Sequence, residues 1–109
     1  MTIAYKVLGQ INPTANTLTT VYTVPAATQA VISTVTICNL ANTASTFSLA
    51  VQPANAVISN KHYVNYQTTL PANDTVALTI GMTLATTDVI SANCSTATVS
   101  VNVFGSEIS

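Results

Sequence analysis

Short segments in which apolar and polar residues alternate recur along the chain, and turn-forming residues separate them. The clearest is residues 47–52 (FSLAVQ), where a large apolar side chain occupies every second position. Alternation with a period of two predicts β-strands that bury one face. Eight strands are predicted in this way: Ala4–Leu8, Leu18–Val24, Ala30–Asn39, Phe47–Gln52, His62–Thr69, Val76–Ile80, Val89–Asn93 and Val99–Val103.

Turn signals close most of these segments, chiefly at Asn12-Pro13, Pro25, Pro53–Asn55, Pro71–Asp74 and Gly81. Short strands at this spacing predict one all-β domain over residues 1–109, an antiparallel β-sandwich or jelly roll. A small closed barrel is the alternative. Residues 1–12 are expected to form an edge strand or an N-terminal arm, and Met82–Thr87 a short connection.

The longest predicted strand, Ala30–Asn39, has apolar residues on both faces, which predicts a central position in a sheet. We expect Val31, Val35 and Ile37 to share one face. The opposite face then includes Ile32 and three shorter side chains.

The chain has few charged residues and many uncharged polar ones. The 109 residues include twenty Thr, ten Asn and nine Ser, but only two Lys and three acidic residues, with a net charge of −1. Two cations cannot neutralise a phosphate track, so we expect no nucleic-acid partner. No apolar run reaches the length of a membrane helix and no secretion signal is visible, so we expect no membrane partner and folding in a cytoplasm.

The scarcity of charged residues also affects how the edge strands of the sheets can be protected from further pairing. Isolated sandwiches protect their edge strands with lysines, inward-pointing charges or prolines, and this chain has few of these. We therefore expect a symmetric oligomer, such as a homotrimer, or docking onto a larger array that covers edges and flat polar faces.

Little in the chain predicts catalysis. His62 has no carboxylate near it in sequence, and no nucleophile motif, phosphate loop or metal-binding pattern is present, so we expect neither an enzyme nor a cofactor. His62, Tyr63 and Tyr66 are instead predicted as an aromatic interface patch, because aromatic rings beside amides suit protein or sugar contacts. The plainer alternative is that these residues pack within the sheet.

Two further residue pairs are assigned structural roles. Asp74 and Asp88 each precede a strand and are expected to cap turns by accepting backbone hydrogen bonds. Cys38 and Cys94 are expected to be reduced, buried hydrophobes, and a disulfide is the alternative only if their strands are neighbours.

Several phrases of the chain resemble small virion structural proteins of tailed bacteriophages, particularly phages of cyanobacteria and other aquatic bacteria. They are VYTVPA at 21–26, VISTVTICN at 31–39, KHY at 61–63, LPANDT at 70–75, TIGMTL at 79–84, DVI at 88–90 and SVNVFGSEI at 100–108. The similarity covers residues 18–109. It consists of strand and turn phrases, which indicate a shared scaffold more than a shared role.

The resemblance implies a non-enzymatic protein located in the virion and assembled in the host cytoplasm. It points first to a capsid decoration (cement) protein that stabilises the head through the major capsid protein. The alternative is a tail, neck, baseplate or fibre-associated protein that contacts host glycans. A free carbohydrate-binding module is a third hypothesis from another class.

Overall fold

The structure is a computed structural model that describes residues 1–79 and 81–109. Within these residues the chain forms nine β-strands and two single-turn 3-10 helices, Pro53–Asn55 and Asn60–His62. The strands are β1 (Ile3–Ile11), β2 (Thr19–Thr23), β3 (Gln29–Asn39), β4 (Ser45–Gln52), β5 (Tyr63–Leu70), β6 (Thr75–Leu78), β7 (Met82–Leu84), β8 (Val89–Cys94) and β9 (Val99–Ile108).

The strands form two antiparallel sheets packed face to face, which confirms the predicted all-β sandwich. Sheet A has the order β1-β9-β3, with β6 and β7 both paired to the free side of β3. Sheet B has the order β2-β8-β4-β5. The N-terminal segment lies at the edge of sheet A, where β1 pairs with β9, and β3 lies inside that sheet as expected.

The pairing is nested from the chain ends toward the middle. β1 pairs with β9, β2 with β8, β3 with β6 and β7, and β4 with β5. The chain is therefore one long hairpin whose two arms are rolled into two sheets. β6 and β7 pair with successive stretches of β3, Val35–Cys38 and Ala30–Ile32, so together they occupy a single strand position.

The prediction that Met82–Thr87 is only a connection was wrong for its first half. Met82 and Leu84 are buried and belong to β7. Three residues give too little alternation to reveal a strand by pattern, so its existence depends on the partner strand β3. Ile80, which was predicted to end the preceding strand, lies outside the described residues.

The core lies between the two sheets and is built mainly from aliphatic residues, with the aromatic rings of Phe47 and Tyr22. Its largest fully buried side chains are Phe47, Ile32, Ile37, Leu49, Leu70, Ile90, Val24, Val35, Val99, Val101, Val103 and Asn39. Asn39 is the polar member of this group, and its amide donates to the carbonyl of Thr43 at 2.8 Å. The buried Asn39 amide thus hydrogen-bonds a carbonyl of the β3–β4 turn, which offsets the cost of burying the amide.

A β-bulge in β3 overturns the predicted face assignment of that strand. The register between β3 and β9 shifts between Ile32 and Thr34, which leaves Ser33 as an extra residue. Ile32 is therefore buried at 1% exposure, whereas Val31 is 39% exposed on the outer face. Val31 does not share a face with Val35 and Ile37 because one added residue reverses the side-chain alternation.

Gly105 of β9 lies opposite this bulge. A Cβ at Gly105 would collide with the carbonyl oxygen of Val31, so the two backbones approach more closely than a side chain allows. This is a position where glycine is required by space, not by a positive φ.

Candidate functional site

Tyr63 and Tyr66 form an aromatic pair on the outer face of sheet B. Their ring centroids are 4.9 Å apart and the rings are inclined at 76°, an edge-to-face arrangement. Residues three apart point to opposite faces of a regular strand. Here the register shifts so that Ala50 faces Tyr63 while Leu49 faces Asn65, and the bulge brings both tyrosines to one side.

His62, the third residue of the predicted patch, has a different environment. It is buried, and its Nδ1 accepts a hydrogen bond from the backbone N–H of Ser59 at 3.1 Å. The backbone N–H of His62 in turn donates to the carbonyl of Ser59 at 3.1 Å. His62 therefore stabilises the 3-10 turn that leads into β5.

A small polar pocket lies beside the tyrosine pair, and we call it the tyrosine pocket. Its volume is about 120 Å³, and it is lined by Asn16, Thr46, Ser48, Tyr63, Tyr66, Gln67, Asn93 and Ser95. All eight side chains are uncharged hydroxyls, amides or phenols. They come from β4, β5, β8 and the β1–β2 and β8–β9 connections, which sequence distance alone would not associate.

The walls of the tyrosine pocket are held by hydrogen bonds within the fold. The hydroxyl of Ser95 accepts from the backbone N–H of Thr46 at 2.9 Å. The hydroxyl of Ser48 accepts from the backbone N–H of Gln67 at 2.9 Å. Gln67 has a φ of 47° and is exposed where it lines the pocket.

A second exposed surface lies on the outer face of sheet A, and we call it the apolar row. It consists of Ile3, Tyr5 and Val7 of β1 with Val31 of β3. Tyr5 pairs with Ser106, which also pairs with Val31, so these side chains stand in line across three strands. Tyr5 is 82% exposed. In the sequence this surface corresponds to the alternation of Ile3, Tyr5 and Val7, within the segment predicted as an edge strand or an N-terminal arm.

The inner side of the same edge carries the charges that the outer side lacks. Lys6 and Glu107 form an ion pair at 2.7 Å, and the hydroxyl of Tyr22 donates to Glu107 at 2.6 Å. The ion pair with Lys6 and the Tyr22 hydrogen bond lower the pKa of Glu107. Burial and the Glu107 hydrogen bond raise the pKa of Tyr22.

The Lys6–Glu107 pair corrects part of the edge argument made from composition. A charge pointing inward from an edge strand opposes further strand addition, and Lys6 occupies such a position on β1. Since Tyr22 belongs to sheet B and Glu107 to sheet A, the Tyr22–Glu107 hydrogen bond also links the two sheets.

The two aspartates hold turns, though not in the same way. Asp88 accepts from the backbone N–H of Ala85 at 2.9 Å and from that of Ala54 at 2.9 Å, so it ties two connections together. Asp74 accepts from the backbone N–H of Thr75 at 2.8 Å. Among the described residues no group of His, Cys, Asp or Glu side chains could hold a metal ion.

The cysteines are free thiols in different sheets, Cys38 in β3 and Cys94 in β8. Cys94 is buried, and burial raises its pKa to about 11, so the thiol stays protonated at neutral pH. Cys38 is only half-buried, which differs from the prediction that both are buried. The disulfide alternative fails because the strands are not neighbours.

Comparison with protein-family models, with curated proteins and with solved structures found no match to the chain. No helix within residues 1–79 and 81–109 has the length and apolar character needed to span a membrane.

Proposed function

We propose that the chain is a non-enzymatic structural protein of a tailed-phage virion, and specifically a capsid decoration (cement) protein that works as a symmetric oligomer. The nested strand pairing supports this proposal. Two antiparallel sheets whose strands pair from the chain ends inward are compatible with the predicted jelly roll. Jelly rolls occur in viral capsid proteins and also in lectins. Such a fold is therefore compatible with a virion role but does not by itself distinguish it from sugar binding.

The apolar row is the observation that carries the proposal. A monomer gains nothing from presenting Tyr5 and its aliphatic neighbours to water in a line beside an open sheet edge, and such patches mark interaction surfaces. We infer that a second copy of the chain covers the row. The net charge of −1 leaves almost no repulsion between copies.

The distribution of charge supports the same contact. Lys6 and Glu107 are the charged residues of β1, β3 and β9, and both lie on the inner side, paired with each other. The outer face can therefore be covered without removing any charge from water, which would cost several kcal/mol for each ion.

The placement of His62 counts against an enzymatic role. Its Nδ1 is used within the fold, and the tyrosine pocket contains neither a carboxylate nor a cation. General acid–base catalysis needs such a group within hydrogen-bond reach of a bound substrate.

The test is to count copies of the chain in purified phage particles that encode it, by quantitative mass spectrometry of whole particles and of separated heads and tails. A cement protein is expected in many copies and only with the heads. A few copies restricted to the tail fraction would favour the tail or baseplate alternative. Absence from both fractions would contradict a virion role.

A further inference from the structure

We propose that the tyrosine pocket binds one neutral sugar residue of a glycan. This inference stands apart from the assembly proposed above, because it concerns sheet B and a ligand of different chemistry. A pyranose offers hydroxyls that both donate and accept hydrogen bonds, together with an apolar ring face. The pocket offers groups that match each of these.

The hydrogen-bonding groups of the pocket are available to a ligand. Within the described residues, the side-chain amides of Asn16, Gln67 and Asn93 make no hydrogen bond to the protein. Each amide can donate and accept, so together they match the vicinal hydroxyls of a sugar. A volume of about 120 Å³ holds about four waters, which the hydroxyls along one edge of a pyranose can replace.

The aromatic pair supplies the apolar contact. In an edge-to-face pair, each ring covers at most one face of the other, so an open ring face remains for the C–H side of a sugar. Tyr66 is 63% exposed although it contacts Tyr63. The ring is thus held in place before a ligand arrives, which reduces the entropy lost on binding.

The absence of charge selects the ligand class. The eight lining residues include no Lys, Arg, His, Asp or Glu, so an anionic sugar or a phosphate would lose its hydration without gaining an ion pair. Lys61 lines a neighbouring depression with His62 and not this pocket. A neutral hexose, deoxyhexose or N-acetylhexosamine is the class that fits.

The experiment is a titration of the full, isotope-labelled chain followed through its backbone amide resonances. The probes are glucose, galactose, mannose, rhamnose and N-acetylglucosamine, each added to about 10 mM, which fills most of a site whose Kd is about 1 mM. At least one probe is expected to shift the amides of residues 63–67 and 93–95.

Two variants and a matched control locate the site. Tyr66→Ala is expected to weaken binding about fivefold through the lost ring contact. Gln67→Gly removes an amide at a backbone position that glycine adopts freely, so the fold is preserved and binding is expected to weaken about threefold or more. Leu40→Ala removes a comparably exposed apolar side chain that lines neither the pocket nor the apolar row, and it is expected to leave the affinity unchanged.

The proposal is overturned if no probe shifts these amides, or if Tyr66→Ala binds as tightly as the parent chain. Shifts that map to the apolar row would also overturn it. None of these outcomes bears on copy number in particles, so the two proposals fail separately.

Discussion

The outer faces of the two sheets each carry an exposed tyrosine, but the surroundings of the two rings differ. Tyr5 stands among aliphatic side chains on sheet A, whereas Tyr66 stands beside amides and hydroxyls on sheet B. Exposure of an aromatic ring therefore does not by itself identify a contact. The neighbours decide whether the ring belongs to a broad apolar surface or to a small polar site.

The difference has a physical consequence for what each face can bind. An apolar row is stabilised by leaving water, at about 25 cal/mol for each Å² covered, so it favours an extended partner. A polar pocket gains only if each displaced water is replaced by an equivalent hydrogen bond. Sheet A thus suits assembly with another protein surface, and sheet B suits a small hydroxylated ligand.

The outer faces of both sheets are supported by the same core, so a mutation that leaves a cavity in the core is expected to have the largest effect. Phe47→Ala is expected to lower the free energy of unfolding by about 3–5 kcal/mol, because Phe47 is fully buried between the sheets. Urea unfolding followed by circular dichroism measures this loss. Val57→Ala, at a position that is 89% exposed, is the control and should change stability by less than about 0.5 kcal/mol.

Gly105→Ala separates the two faces by damaging sheet A alone. The added methyl group collides with the Val31 carbonyl, which should cost about 1–3 kcal/mol and disturb the β3–β9 pairing beneath the apolar row. Hydrogen exchange should then accelerate in β9 while β5 keeps its protection. Gly81→Ala is the matched control, since nothing lies within 4 Å of a Cβ at that position. Equal effects of the two variants would refute the close approach at Gly105.

Tyr22→Phe tests the joint between the sheets. The change removes the hydrogen bond to Glu107 and should cost about 1.5–3 kcal/mol at neutral pH, as expected for a hydrogen bond to a charged acceptor. Chemical denaturation of the variant and the parent chain gives the difference.

The same group makes stability depend on pH in a defined direction. Because the folded-state pKa of Glu107 is lowered, its contribution is complete above the pKa of the unfolded chain and is lost as the pH falls through the folded-state pKa. The difference between the parent chain and Glu107→Gln should therefore shrink on acidification. A difference that grows as the pH falls would contradict the ion-paired geometry.

The features of the fold that could be predicted from the sequence are those that depend only on the local pattern of residues. Alternation in Phe47–Gln52 and in Val99–Val103 identified strands correctly, because a period of two records a buried face. The phase of β3 could not be predicted, since the bulge at Ser33 depends on its partner β9. A short segment such as Met82–Leu84 becomes a strand only through its pairing with β3.

The candidate site shows the same division. Tyr63 and Tyr66 were identifiable as an aromatic pair, but their common face results from a bulge against β4. Asn16 and Asn93 could not be assigned to the pocket, because only the sheet topology brings them near β5. The apolar row was visible in sequence as alternation, but that pattern also fits a buried strand.

Substituting the two exposed tyrosines is expected to have the smallest effect on stability, so their roles in binding can be tested in folded variants. Tyr5→Ser and Tyr66→Ser should each lower the free energy of unfolding by at most about 1 kcal/mol, because neither ring is part of the core and Tyr66 loses only its contact with Tyr63. Thermal unfolding of both variants at low protein concentration checks this. A larger loss in either variant would mean that the ring stabilises its own sheet.

Sedimentation velocity of the chain over a range of concentrations tests the central claim, that the molecule works by covering the apolar row of sheet A. The account predicts a discrete oligomer for the parent chain and for Tyr66→Ser, and a shift toward monomer for Tyr5→Ser, with association weakened about tenfold or more. A parent chain that stays monomeric at every concentration, or a Tyr5→Ser variant that associates as strongly as the parent, would contradict it.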